Sequence, residues 1–328
     1  MAEFGDAAMD TAVPLETLRA SLSDLQEPVG KRTHAAFLLR TLAVDAEKPA
    51  AQREEAIGAL ASALRNTEDG ALMRHEVAYI LGQIRSSVAL PALTAVLRDG
   101  EDDAIVRHEC AEALGAIGDP DALDVLREHA DDAAPEVRDT CELAVALLEH
   151  RARVAAGNAG KGEGGDANAA SGPYLSVDPA PPLAEDLSTE EVARIFNAAG
   201  SETLFQRYRA MFSLRNRAHR DTAALEALCG GLKDGNALFR HEVAYVLGQV
   251  QAPASAPALV ASLEDRAEHR MVRHEAAEAL GAIGGVSVED VLEKYVGDDE
   301  TMVKQSCEVA LDSIDYWSNF AAASASSA

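Results

Sequence analysis

Aromatic residues make up 4% of the 328-residue chain, which has a single tryptophan and four cysteines. Alanine and leucine are abundant, and β-branched residues do not alternate. This bias argues against a β-sheet core and favours helices packed through small side chains. Cys110, Cys141, Cys229 and Cys307 show no CxxC spacing. That excludes a cysteine-rich structural zinc site and predicts reduced, buried thiols. No stretch approaches the roughly 20 apolar residues that span a bilayer. The opening MAEFGDAAMD lacks a basic region followed by an apolar run, so no signal peptide is expected. Basic residues are few: 29 against 55 acidic, for a net charge of -26. Nucleic acid and anionic membranes are therefore poor partners, whereas a basic protein or a polyamine-like group suits better. A merely solvated acidic surface accounts for the charge as well. The expected location is the cytoplasm.

The chain is internally repeated. ALMRHEVAYILGQI (71–84) returns as ALFRHEVAYVLGQV (237–250), and IVRHECAEALGAIG (105–118) as MVRHEAAEALGAIG (271–284). Both pairs are offset by 166 (241 − 75 and 274 − 108). Within each half, His75 to His108 and His241 to His274 are both 33 residues (108 − 75 and 274 − 241). A third copy follows as VRDTCELAVALLE and VKQSCEVALDSID, and a degenerate one precedes as RTHAAFLLR and YRAMFSLR. A period in the low thirties with an ALGAIG ending is a helical hairpin that must stack to bury its apolar face. The reading is an all-α fold of HEAT-like helical hairpins, in two pseudo-symmetric lobes of four hairpins each. The N-terminal lobe is set at 1–150 and the C-terminal lobe at 187–328. Between them, 151–186 is rich in Gly, Ala and Pro and reads as a flexible linker. The AAASASSA tail is expected to be disordered.

One unit shows the local logic. Asp102 and Asp103 offer a helix cap, and Val106, Cys110, Ala113, Leu114 and Ile117 form an apolar stripe. Gly118 ends the helix, and a second helix from Asp121 to about His129 is expected to complete the hairpin.

The chemistry-bearing motif is a His-Glu pair that occurs four times: His75-Glu76, His108-Glu109, His241-Glu242 and His274-Glu275. At about 100° per residue, His108 points away from the apolar stripe, so these are not ordinary core histidines. Stacking one repeat on the next sets His75 beside His108, and His241 beside His274. Imidazole and carboxylate suit zinc, iron, manganese or copper, and two His with one Glu per lobe leave exchangeable positions for small molecules. A lone surface His-Glu pair is ordinarily solvated. Here the pair sits only in the two central units of each half; the flanking units carry Thr33-His34, Tyr208-Arg209, Asp139-Thr140 and Gln305-Ser306 instead. A demand of hairpin packing would recur in every unit, so a metal site is the better explanation. The choice between iron chemistry and a two-metal hydrolase stays open on residue types alone. Tyr79, Tyr245, Glu112 and Glu278 lie one turn beyond the motif histidines and read either as supports for them or as plain packing residues. His34, His129, His150, His219 and His269 have no repeated partner and read as surface residues.

RHEVAY.LGQ and VRHE.AEALGAIG in both halves, with four His-Glu motifs in two symmetric pairs, make the chain resemble the deoxyhypusine hydroxylase family over nearly its whole length. The resemblance implies a di-iron monooxygenase that uses dioxygen and an external reductant to hydroxylate deoxyhypusine on translation initiation factor 5A, giving hypusine. It implies one iron at His75, His108 and Glu109 and another at His241, His274 and Glu275. Glu76 and Glu242 are then substrate-side carboxylates facing the amine-bearing side chain, and a monomer is expected. Two departures, AVDAEKPAAQREE before the first motif and the long linker, touch none of these residues. Other readings are a non-catalytic HEAT-like scaffold, a phycobilin-lyase-like repeat protein, which the four motifs disfavour, and a two-metal hydrolase on the same ligands.

Overall fold

The structure is a computed structural model that describes residues 13–157 and 174–326, with side chains to residue 316. Its described residues hold sixteen α-helices and no strand beyond an isolated bridge at Ala199 and Glu202. They are α1 (Leu15–Ser23), α2 (Val29–Val44), α3 (Ala50–Leu64), α4 (Ala71–Ile84), α5 (Leu90–Arg98), α6 (Ala104–Ile117), α7 (Leu123–Glu128) and α8 (Pro135–Ala155). There follow α9 (Thr189–Phe196), α10 (Leu204–Arg215), α11 (Thr222–Gly231), α12 (Ala237–Val250), α13 (Ala256–Glu264), α14 (Arg270–Ile283), α15 (Val286–Tyr295) and α16 (Thr301–Ser326). The all-α hairpin architecture is thus as the repeats predict. Among the described residues no helix is long and apolar enough to cross a membrane.

The phase of the hairpin differs from the sequence reading. The short helix precedes the motif helix: α5 packs on α6 and α13 on α14, while α7 packs on α8. The ALGAIG segment therefore ends a hairpin. Its Gly118 adopts a left-handed conformation (φ 78°), and the 3-10 turn Pro120–Ala122 opens the next unit. Periodicity locates helices but carries no information on which neighbour each one joins.

Two compact units form, one extending to Asn216 and the other from Arg217. In the first, α4, α6 and α8 lie side by side; in the second, α12, α14 and α16 do. The repeated glycine sets their spacing. A Cβ on Gly82 of α4 would stand 2.8 Å from Ala113 Cα of α6, and one on Gly115 2.9 Å from Ala144 Cβ of α8. The second unit repeats this with Gly248 against Ala279 Cα (3.0 Å) and Gly281 against Ala310 Cβ (2.6 Å). The LG of each motif is thus a close helix contact across repeats, which only glycine permits.

An arginine ladder ties several hairpins to the next. Arg74, just before the first His-Glu pair, donates through Nε to Leu64 O (2.8 Å) at the end of α3 and through both Nη to Asp102. Arg107 repeats this with Leu97 O (3.1 Å) and Asp132, and Arg273 with Leu263 O (3.0 Å) and Asp298. Arg32 does so with Leu22 O and Asp69. Each guanidinium satisfies a helix-terminal carbonyl that has no partner in its own helix. Asp102 therefore belongs to Arg74, and Asp103 alone caps α6 by accepting from Ile105 N (2.9 Å).

α9 and α10 pair with each other and belong to the first unit. Arg209 of α10 donates to the carbonyls of Pro181 and Pro182, and Arg215 forms a two-pronged pair with Asp178. The segment 174–183, part of the expected linker, is thereby fixed in place; Gln83 of α4 also accepts from Val177 N (2.8 Å). The glycine-rich run 158–173 and the opening decapeptide lie outside the described residues. By repeat register α9 and α10 are the first hairpin of the second half, and we propose that the duplicated lobes are 1–150 and 187–328. The tail expected to be disordered continues α16 to Ser326, in keeping with the helix propensity of its alanines, while Ser327 and Ala328 lie outside the described residues.

His150 is a correction. It is 1% exposed, not a surface residue, and its ring lies 5.7 Å from that of Phe205. The covering helix α10 is remote in sequence, so nothing around His150 announces its burial. His269 caps α14, its Nδ1 accepting from Met271 N (3.3 Å). All four cysteines are free, and burial pushes the Cys141 and Cys307 thiols up to about 12.

Candidate metal centres in the two lobes

Each lobe builds its cluster from two adjacent motif helices held at glycine contact. Side chains one repeat apart then meet across the α4–α6 or α12–α14 interface. The His75 and His108 ring centroids lie 5.4 Å apart, and so do those of His241 and His274. The Glu of the later repeat reaches back to the His of the earlier one: Glu109 Oε2 is 3.2 Å from His75 Nε2, and Glu275 Oε2 is 3.4 Å from His241 Nε2. All eight His-Glu residues are buried. Burial in the motif helices is thus not confined to the apolar stripe, which a stripe pattern cannot show.

In the second lobe, ligand atoms of His241, His274 and Glu275 lie within 4.8 Å of one another. In the first lobe, those of His108, Glu109 and Glu112 do, and His75 joins through its contact with Glu109. Nitrogen and carboxylate donors converging in a buried space form a set that suits a divalent transition ion. Burial alone would lower the pKa of His75, but the Glu109 and Glu76 carboxylates outweigh it and hold the ring well above the ordinary imidazole value. A bound cation would displace that proton, since a ligating imidazole must be neutral.

Of the two carboxylates expected to face the substrate, Glu76 places Oε1 3.3 Å from His75 Nδ1. Glu242 is buried next to His241 in α12. Around the clusters stand groups that sequence reading left unassigned. Thr140, at the Glu position of the last repeat of the first lobe, places Oγ1 3.5 Å from His108 Nδ1. Its counterpart Ser306 donates to Glu278 Oε1 (3.2 Å), and that same Oε1 lies 3.6 Å from His274 Nδ1. The signal for both was present. Glu109, Glu275 and Thr140 each face the His of the repeat before, so the occupant of the Glu position in the last repeat is expected beside the motif. Gln249 donates to Tyr245 Oη (3.0 Å), which ties that tyrosine to its own helix.

Residues 59–146 and 225–312 match the HEAT repeat family. The chain is 44% identical over 302 residues to deoxyhypusine hydroxylase of Drosophila melanogaster, covering 92% of each chain. It is 44% identical over 310 residues to deoxyhypusine hydroxylase of Homo sapiens, covering 94% of this chain and 93% of that one. The solved structure of human deoxyhypusine hydroxylase in complex with glycerol is similar to it with a TM-score of 0.79 at 43% identity, over 92% of this chain and 96% of that one. With duplicated His-Glu clusters on such a scaffold and identity of this extent to several relatives, the chain belongs to the deoxyhypusine hydroxylase family of enzymes.

Proposed function

We propose that this chain hydroxylates the deoxyhypusine side chain of translation initiation factor 5A, using dioxygen and two iron ions, one per lobe. The observation that carries the reading is the repeated cluster of two histidines and a reaching-back glutamate in each lobe, buried and lined with donors that suit iron. In this reading His75, His108 and Glu109 hold one ion, and His241, His274 and Glu275 hold the other. When bound, iron supplies the activation of dioxygen for inserting one oxygen atom into a C–H bond, with electrons from an external reductant.

The protein residues have their own tasks. The three donors per lobe leave room for exchangeable ligands. Burial keeps bulk water from the reacting groups and strengthens every charge interaction among them. Glu76 and Glu242 adjoin the ligand histidines, and their carboxylates suit the ammonium groups of a polyamine-like side chain. The net charge of -26 favours the approach of a cationic side chain. We place the reaction in the cytoplasm and take the protein to act as a monomer.

The test is iron analysis of freshly purified protein, then aerobic incubation with deoxyhypusine-bearing factor and a reductant. The reading requires two iron ions per chain and a gain of one oxygen atom on the modified lysine. Iron-loaded protein that leaves the factor unchanged, or hydroxylation by metal-free protein, overturns it.

A further inference from the structure

We propose that the first unit is assembled from two stretches, 13–157 and 174–216, that recognise each other without needing a covalent join, and that 174–183 is the docking peptide between them. The run 158–173 then serves only as a tether. This holds whether or not the metal reading above does.

Composition separates the tether from the peptide. Residues 158–173 hold no apolar side chain larger than alanine apart from Pro173, so they bring little to a core. Residues 174–183 read YLSVDPAPPL. Pro179, Pro181 and Pro182 have a fixed φ and no N–H to satisfy, so ordering this stretch costs little chain entropy. Pro179, Ala180, Pro181 and Leu183 are buried although no helix or strand holds them.

One side of the peptide is seated on α10. The Arg215 guanidinium stacks on the Tyr174 ring (4.4 Å) and the Phe212 ring (4.8 Å), and it donates to both oxygens of Asp178 (2.8 and 2.6 Å). Ser176 Oγ donates to the same carboxylate (2.7 Å). Further along, Arg209 donates to the carbonyls of Pro181 (3.2 Å) and Pro182 (3.1 Å), and Leu183 N donates to Ser213 Oγ (2.8 Å). A buried, two-pronged guanidinium pair of this kind fixes the peptide before it meets anything else.

The other side meets the end of α4. Gln83 uses both ends of its amide on one residue: Oε1 accepts from Val177 N (2.8 Å), and Nε2 donates to Val177 O (3.4 Å). Gln83 lies about two turns beyond Glu76, so this seat is on a motif helix. Its counterpart in the second unit, Gln249, donates to Tyr245 of its own helix, so the repeat alone does not dictate the pairing. A second contact joins the two stretches where Phe205 of α10 lies against the buried His150 of α8, with ring centroids 5.7 Å apart. Contacts from α4 and from α8 thus converge on a peptide and helix already locked together. A pre-ordered partner loses little freedom on docking, which favours association of separate chains.

The experiment uses the full chain with the recognition sequence of a specific protease placed within 158–173, cut after folding. The cut protein should elute in gel filtration as one particle holding both fragments. Exchange with a dye-labelled cut chain gives the rate at which the fragments separate. Gln83→Ala and Phe205→Ala should each raise that rate by about tenfold, as expected for two lost hydrogen bonds or a lost ring contact. Gln249→Ala should leave it unchanged. Circular dichroism of the uncut variants identifies one that does not fold; Asp178→Asn, which loosens the peptide from Arg215, then carries the test and should raise the rate as well. Fragments that separate on the column, a rate that the strap variants leave unchanged, or an equal rise from Gln249→Ala overturns the proposal.

Discussion

The lobes are nearly the same at the motif and different just behind it. RHEVAY.LGQ and VRHE.AEALGAIG recur with few changes, and the distances they set recur too: 5.4 Å between histidine rings in each lobe, and 3.2 Å and 3.4 Å from the reaching-back glutamate. Behind them stand different residues, Thr140 in one lobe and Ser306 in the other. Glu76 contacts His75, the earlier histidine of its lobe, while Glu278 contacts His274, the later one of its lobe. A duplicated scaffold thus holds its candidate ligand residues alike while their neighbours differ, because the helix stack fixes where a side chain stands and the neighbouring repeat decides what it meets.

The strongest test of the likeness is to remove one later histidine at a time. His108→Ala and His274→Ala should each lower iron from two ions per chain to one and leave no detectable hydroxylation. If one of them keeps both ions or full activity, the lobes do not have matching roles. Next in size are the proposed substrate-side carboxylates. A carboxylate facing an ammonium in a closed site contributes about 1.5–3 kcal/mol. Glu242→Ala should therefore weaken substrate binding by roughly tenfold to over a hundredfold while iron stays. Glu76→Ala should do the same and also loosen iron in its lobe, since Glu76 supports His75. Complete loss of iron in Glu76→Ala, as in His108→Ala, would move Glu76 into the ligand set.

Much of this was legible in the sequence because the signal was periodic. The offset of 166 separates the halves, and the restriction of His-Glu to the central units marks the site. What was not legible depends on contacts between repeats. The arginine before each motif recurs as plainly as the histidine, yet only the stack reveals that Arg74, Arg107 and Arg273 join a carbonyl behind to an aspartate ahead. Glu278 read as a support for His274 or as a plain packing residue, and its partner Ser306 lies 28 residues away, out of reach of a periodic signal.

The ladder predicts a pH dependence. The hydrogen bond from Arg273 holds the Asp298 carboxyl below its ordinary value, so this group contributes stability above the usual carboxylate range and loses it as pH falls through its folded pKa. Asp298→Asn leaves a buried guanidinium without its charge partner and should cost about 3–5 kcal/mol near neutrality. The cost should shrink below about pH 4, where the wild-type carboxyl also begins to protonate. Urea unfolding of both proteins between acid and neutral pH checks this, and a constant difference across that range contradicts it. The glycine contacts come next. Gly281→Ala sets a Cβ 2.6 Å from Ala310 Cβ and should destabilise by about 1–3 kcal/mol, whereas Gly58→Ala, with nothing within 4 Å, should stabilise by about 0.5–1 kcal/mol.

The smallest expected effect concerns a strain that both lobes share. The motif helices α6 and α14 end on glycines with positive φ, Gly118 at 78° and Gly284 at 68°. The helices α4 and α12 end instead on Arg85 (φ 57°) and Gln251 (φ 52°), at the same offset of 166 (251 − 85). A side chain in the left-handed region crowds its own backbone and costs about 1–2 kcal/mol relative to glycine. Glycine loses part of that advantage through the greater freedom it gains in the unfolded chain. Gln251→Gly should therefore raise the stability of the second unit by about 0.5–1 kcal/mol, read as a higher urea midpoint at unchanged slope. Metal affinity should not change, since Gln251 lies beyond the end of α12, more than two turns from His241. A lower midpoint would mean that the glutamine side chain makes a contact worth more than the backbone strain it imposes, and that a non-glycine cap persists at this turn in both lobes for that reason.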